Sequence, residues 1–578
     1  MTEISVWAPH AARVRVAIAG LTPDLELTAG GWWRGEVAKA LPGREYGFLL
    51  DDEEQVLPDP RSRRQPGGVH QPSQLYADDF VWTDADWAGH GLASSVFYEL
   101  HIGTFTPEGT FDAAIKRLDH LVELGVTHVE ILPVNAFNGE WNWGYDGVLW
   151  FAVHEGYGGP DGLKRLVDAA HSRDLAVVVD VVYNHLGPSG NYLARFGPYL
   201  QAGRNTWGDL INLDGESSGP VREYILDNAL MWFREFHVDA LRLDAVHALK
   251  DTSEVHLLAE LSGRVEALSA ELGRPLVLVA ESDLNDPIMF TDRASGGHGL
   301  DGQWNDDVHH ALHALLAGEQ QGYYGDFGSI ATLAKVLTRA FFHDGTYSRF
   351  RERSHGKPVD TVNTPGYRFV ACLQNHDQVG NRAAGDRMPE ITSPAMLKVG
   401  ATLLLTSPFT PMIWMGEEWA ANTPWPFFTS HPEPELASAT AKGRIKEFAD
   451  HGWDVDTIVD PQDPAAFTGA KLRWSEIDEP GHADMLATYR ELLRLRRAHP
   501  DLADSRLNRV EVDFDEAARW VIVHRGAFDV LANFADRAQL VPAASGQILF
   551  CTEPGAVAAD QGSQILLPAQ SACIIRPG

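Results

Sequence analysis

Asp239-Ala-Leu-Arg-Leu-Asp244-Ala-Val-His247 decides the fold: a short apolar run that ends in an acid. Three more runs are built the same way. They are Ala176-Val-Val-Val-Asp180-Val-Val-Tyr-Asn184-His185, Leu276-Val-Leu-Val-Ala-Glu281-Ser-Asp283 and Phe369-Val-Ala-Cys-Leu-Gln-Asn-His376-Asp377. In each, β-forming residues lead into charged or polar side chains. A strand buried on both faces reads as a continuous apolar run, and a (β/α) barrel gathers its chemistry at the C-terminal ends of such strands. One run would say little. Four in series imply one shared site.

Around these runs strand and helix alternate. Ser95–His101, Val129–Val134, a weak run at Gln303-Trp304 and Pro411–Glu418 read as the other strands. Helical spacing over 111–124 stops at Gly125, and further helices are expected over 163–171, 221–236, 255–272 and 485–499. Eight such units predict a closed parallel barrel rather than an open sheet. The excess over a minimal barrel falls after strands, at 134–160, 184–220, 283–300, 320–368 and 419–475. Short alternating runs with Gly and Pro turns precede and follow the barrel, such as Arg13-Val-Arg-Val-Ala-Ile and Arg519-Trp-Val-Ile-Val-His. The expected fold is therefore multidomain α/β. It has an N-terminal β-sandwich at 1–90, a catalytic (β/α)8 barrel at 91–504 and a C-terminal β-sandwich at 505–578. Leu57–Gly68 reads as an irregular segment lying along the barrel.

The 578 residues carry 47 basic and 80 acidic side chains, a formal charge of -33. Such a surface repels phosphate backbones and anionic lipid, so neither nucleic acid nor membrane is an expected partner. No run reaches the ~18 apolar residues of a membrane span. The N-terminus lacks a basic stretch followed by an apolar one, and the expected location is the cytoplasm. The three cysteines, Cys372, Cys551 and Cys573, suggest neither a disulfide framework nor a zinc site. His154, His309, His310 and His313 do not form a metal motif, because no HExxH glutamate lies between His309 and His313. No metal or cofactor is expected.

Carboxyls at neighbouring strand ends suit glycoside hydrolysis, which needs one on each side of the bond. Asp244 is the candidate nucleophile. Arg242, two residues earlier and on the same strand face, would keep it ionised and aimed. Glu281 follows an apolar run, and burial raises a carboxyl pKa, as a general acid requires. Asp377, beside His376, would grip sugar hydroxyls and favour the positively charged transition state. Taken alone, Asp244 and Arg242 read equally well as an internal ion pair. Asp180 is expected to brace Arg242, and Asn184 its own loop. Trp143 and Tyr145, in a Gly-containing loop, suit stacking on a sugar, although Trp143 reads equally well as core.

The four strand motifs match the four regions that define the α-amylase superfamily, glycoside hydrolase family 13. Region one is Asp180–His185, region two Leu241–His247, region three Ala280–Asp283 and region four Gln374–Asp377. The resemblance implies Asp244 as nucleophile, Glu281 as acid/base and Asp377 as transition-state stabiliser. It implies Tyr145, His185, Arg242 and His376 as binders of the sugar at the cleavage point. Asn142-Trp-Gly-Tyr-Asp-Gly147, Trp207-Gly-Asp-Leu-Ile-Asn-Leu-Asp214, Gln303-Trp-Asn-Asp-Asp-Val-His-His310 and Asn375-His-Asp-Gln-Val-Gly-Asn-Arg382 resemble, more narrowly, the malto-oligosyltrehalose trehalohydrolase family. That family hydrolyses the α-1,4 bond next to a terminal trehalose, after a synthase has isomerised the end of a maltodextrin.

By the same resemblance His247, Asp283, Asn285, Trp304, Asn305, Asp306, Asp307, Gln378 and Asn381 are implied in the substrate site. Read as residues, Trp304–Asp307 suit a solvated turn equally well. Ala240 and Trp150 depart from the family pattern. A branching transferase or a debranching enzyme with the same triad is the alternative enzyme. A glucan-binding scaffold that has lost catalysis is the alternative of another class, and the presence of all three acids speaks against it.

Overall fold

The computed structural model describes residues 2–38, 40–450, 457–559 and 562–578. Its centre is a closed parallel barrel whose strands are adjacent in chain order. They are β1 Phe97–Leu100, β2 His128–Ile131, β3 Ala176–Val181, β4 Ala240–Leu243, β5 Val277–Ala280, β6 Gly302–Trp304, β7 Phe369–Cys372 and β8 Thr410–Trp414. All eight expected strands are present. Every barrel strand residue is buried, which is why the runs lack polar alternation. Phe97, Val178, Ala240, Val277, Val370 and Met412 fill the barrel interior. Ala240 is fully buried among them, and Trp150 is buried with its ring against Tyr183 and Tyr224, 5.3 and 5.5 Å away.

The helix expected over 111–124 is two, Phe111–Ile115 and Leu118–Leu124. Lys116 and Arg117 tighten the turn by donating to carbonyls three residues back, and the Arg117 guanidinium lies 4.2 Å over the Trp474 ring. The N-terminal region forms two three-stranded sheets, and the C-terminal region an antiparallel five-stranded sheet with a three-stranded one. The cysteines depart from the expectation of no disulfide. Cys551 and Cys573 form a disulfide, because the antiparallel strands Gly546–Cys551 and Ser571–Pro577 set them directly opposite. A separation of 22 residues carries no local signal of this.

The segment joining the N-terminal sheets to the barrel is held by charge. Arg61, Arg63 and Arg64 pair with Asp227, Glu235 and Glu155 at 2.8–2.9 Å. Below the strands, His171 lies between Asp84 (2.8 Å) and Asp239 (2.9 Å), stacked on Trp87. Asp239 also accepts from Arg274 and from the Trp87 indole. Burial works against the imidazolium, but the two carboxylates raise the His171 pKa above its ordinary 6.5. Burial likewise opposes ionisation of Asp84, yet His171 and His237 lower it to about 2. The His171 contribution is complete below its ordinary value and fades as pH rises through the raised one. The Asp84 contribution is complete above 3.8 and fades as pH falls towards 2. His171→Ala leaves two buried carboxylates short of a partner and is expected to cost about 3 kcal/mol. Urea titrations of both proteins should show the deficit largest between pH 4 and 6.5 and shrinking above it.

Candidate active site

The strand ends converge on one guanidinium. Arg242 projects into the barrel from β4, fully buried, and its Nη1 donates to Asp180 Oδ2 and Asp244 Oδ1, each at 2.7 Å. Its Nη2 lies 2.8 Å from Glu281 Oε2. Asp244 is the first residue beyond β4, and its second oxygen accepts from Asn184 Nδ2 at 2.6 Å. Asn184 therefore holds the carboxylate and not only its own loop. Glu281 is the first residue beyond β5. Its Oε2 also accepts the Ala245 N–H at 2.8 Å, and Ala245 stands in the left-handed region (φ 39°) to present it. A non-glycine residue there is strained, and such strain persists where surrounding contacts enforce it. The apolar run before Glu281 does not surround its carboxyl, which meets a guanidinium and an amide instead.

Asp377 lies in the short helix His376–Gly380 after β7, which Asn375 caps by accepting the Gln378 N–H. His376 Nδ1 is 2.6 Å from Glu99 Oε1 on β1, and Nε2 is 2.8 Å from the Tyr145 hydroxyl. Tyr145 donates to Asp180 at 2.7 Å, which closes a ring of contacts back to Arg242. Burial works against charge on His376, but Asp377 and Glu99 raise it to about 9, so it is cationic at neutral pH. Burial holds His185 below the ordinary histidine range.

Above these groups opens a cleft of about 780 Å³. Trp143, Tyr145, His185, Asp244, Glu281, Asp283, Asp306, His376, Asp377, Gln378 and Asn381 line it, as the sequence suggests. Trp143 has one face against Trp425, 4.6 Å away. Burial and the nearby Glu281, Asp283 and Asp377 push Asp306 up to about 8, so it is a hydrogen-bond donor at neutral pH.

Other implied residues lie elsewhere. Trp304 is buried under Arg242, ring to guanidinium 4.4 Å. Asn305 donates to the Ala340 carbonyl. Asp307 accepts from Asn285 and from the backbone of Phe342 and His343, so Asp307 and Asn285 anchor a loop and do not face the cleft. His247 sits at the rim, accepting the Asp283 N–H at 3.3 Å. Sequence reasoning missed Trp207, Tyr323, Phe350, Arg351, Phe427 and Arg444, which also line it. All come from the insertions at 184–220, 320–368 and 419–475, whose length after barrel strands is the one available signal. Residues 451–456 of the last insertion lie outside the described residues. Among the described residues no cluster of three His, Cys, Asp or Glu is placed to hold a metal, and no helix is long and apolar enough to cross a membrane.

Comparison with known proteins bears on this site. A family model described as the alpha amylase catalytic domain matches residues 74–197, and a domain of unknown function, DUF3459, matches 505–574. A malto-oligosyltrehalose trehalohydrolase of Rhizobium sp. (strain M-11) is 53% identical over 582 residues, covering 99% of this chain and 97% of its own. A solved Salmonella typhimurium protein described as an alpha amylase superposes with a TM-score of 0.90 at 37% identity, covering 99% of this chain and 97% of its own. A 1,4-alpha-glucan branching enzyme of Corynebacterium jeikeium is 30% identical, but over 52% of this chain and 47% of its own.

Proposed function

We propose, since this chain belongs to the malto-oligosyltrehalose trehalohydrolase family, that its cleft hydrolyses the α-1,4 bond next to the terminal trehalose of maltooligosyltrehalose. The products are trehalose and a maltooligosaccharide. The protein is a glycoside hydrolase of the α-amylase superfamily. The observation that carries the mechanism is the single guanidinium shared by Asp244 and Glu281. Sharing it favours the spacing of roughly 5–5.5 Å found in retaining enzymes over the wider gap of inverting ones.

In the first step an Asp244 oxygen attacks the anomeric carbon while Glu281 gives its proton to the departing trehalose oxygen. A glycosyl-aspartate forms. In the second step Glu281 takes a proton from water, which attacks the same carbon and frees Asp244. Asp377 and the cationic His376 hold ring hydroxyls, and Asp377 stabilises the oxocarbenium character of both transition states. Tyr145 stacks beneath the sugar, Arg242 aims both carboxyls, and Trp207, nearly half exposed at the lip, offers an aromatic face to the chain. Asp306 donates to a hydroxyl, and Asp283, Gln378 and Asn381 contact neighbouring sugars. The substrate presupposes a prior isomerisation, by a maltooligosyltrehalose synthase, that turns the reducing end of a maltodextrin into trehalose. Three units, 1–90, 91–504 and 505–578, divide this work, with the chemistry in the middle one.

Incubation with maltotriosyltrehalose and, separately, with maltopentaose tests the reading by chromatography of the products. Rapid release of trehalose and maltotriose from the first, with slow cleavage of the second, is expected. Equal rates on both would reduce the protein to a general amylase, and longer branched products would make it a transferase.

A further inference from the structure

The barrel interior changes character directly beneath the catalytic groups. Lower down it is mostly apolar, but several buried polar atoms around Arg242 have no hydrogen-bond partner among the described residues. Among them are Glu130 Oε2, Asp180 Oδ1, Arg242 Nε and Trp304 Nε1, and Arg242 Nη2, 2.8 Å from Glu281 Oε2, is a fifth. Their strands are β2, β3, β4 and β6. Arg242 ties three of them together, since it lies 4.4 Å from the Trp304 ring and 2.7 Å from the other oxygen of Asp180. Glu130 is paired in register with Glu99 on one side and with Val178, two residues before Asp180, on the other. It is 1% exposed, and the mechanism gives it no task.

Buried polar atoms are almost always satisfied by protein or by ordered water. Of the first four atoms two are N–H donors and two are carboxyl oxygens. A water molecule both donates and accepts, so it can serve N–H groups and carboxyl oxygens together. We propose that the barrel interior beneath the catalytic guanidinium binds structural water on Glu130, Asp180, Arg242 and Trp304, and that Glu130 is a positioning residue that fixes Arg242 through this water. Burial, with the neighbouring Glu99, keeps the Glu130 carboxyl well above the usual range, so it is a neutral acid that can both donate and accept. Glutamine reproduces that capacity and shape; leucine fills the space without it.

The inference rests on the reading that Arg242 aims Asp244 and Glu281. Its test combines a high-resolution crystal structure of the intact protein with kinetics of Glu130→Leu and Glu130→Gln. The expected structure shows water within hydrogen-bonding distance of Glu130 and Arg242 Nε, absent in Glu130→Leu. Glu130→Leu is expected to lose about ten- to a hundredfold in kcat with KM unchanged, the scale of a small misplacement of catalytic groups. Glu130→Gln should stay near the wild-type value. An interior without water in the wild type, or a folded Glu130→Leu with wild-type kcat, overturns the proposal. If Glu130→Leu does not fold, the wild-type density still decides the water, and a large kcat loss in Glu130→Gln overturns the positioning role. The water is read in the crystal whichever glucan proves to be the substrate, so the two readings fail separately.

Discussion

Asp244→Asn should lower kcat on the order of 10⁴-fold or more while the barrel stays folded. An asparagine carbonyl oxygen can still accept from Arg242 Nη1, and Arg242 keeps Asp180 and Glu281 as counter-charges. The fold therefore loses one charge-assisted bond and strands no cation. The chemistry loses everything, because an amide cannot form the glycosyl ester. Trehalose release and thermal unfolding, measured on the same sample, check both halves. The smaller Asp244→Gly variant with azide adds a sharper readout. Azide can enter where the carboxylate stood and yield a glycosyl azide of inverted configuration. Activity within tenfold of wild type in the asparagine variant would remove Asp244 from the mechanism.

Arg242→Leu should fail in both respects. Three carboxyls, Asp180, Asp244 and Glu281, would lose their common, fully buried partner. Breaking one side of a buried pair costs about 3–5 kcal/mol, and turnover should vanish with it. The sign of the pH dependence follows from the carboxyls left behind. Burial already pushes Asp180 up to about 7 against the pull of Arg242, and without that pull its folded pKa rises further. A group that binds its proton more tightly when folded loses stability as pH rises, so the deficit should narrow in acid. Urea midpoints at pH 5 and pH 8 check this. Arg242→Lys should recover part of the stability and little of the activity, since a point charge cannot replace a planar fork that serves three acids.

The barrel was legible because each strand is buried on both faces. Ala176–Val181 and Val277–Ala280 carry little but apolar β-formers, and the acids mark the point where the strands end. Even the short strand Gly302–Trp304 fell where the alternation required one. The positions of the three candidate acids were legible for the same reason, as charges placed where a strand would otherwise have stopped in a turn. What adjacency in sequence could not convey was direction. Trp304, Asn305, Asp306 and Asp307 are consecutive, yet only Asp306 looks into the cleft, because a strand end and a helix start turn successive side chains to different sides. The apolar run before Glu281 misled in a similar way. It describes the strand behind the carboxyl and not the groups in front of it. Phe350, Arg351 and Arg444 reach the cleft from long insertions, Arg444 from the helix Pro434–Asp450, where sequence offers length but not orientation towards the cleft.

Cys372 is sealed within the barrel, while Cys551 and Cys573 face each other across neighbouring strands of another sheet. The three sulfurs therefore cannot trade partners in the native protein. Reductant opens the one pair without creating a scrambled form, and oxidant restores the same bond. The cleft lined by Asp244, Glu281 and Asp377 contains no part of that pair, so opening it breaks no bond within that lining.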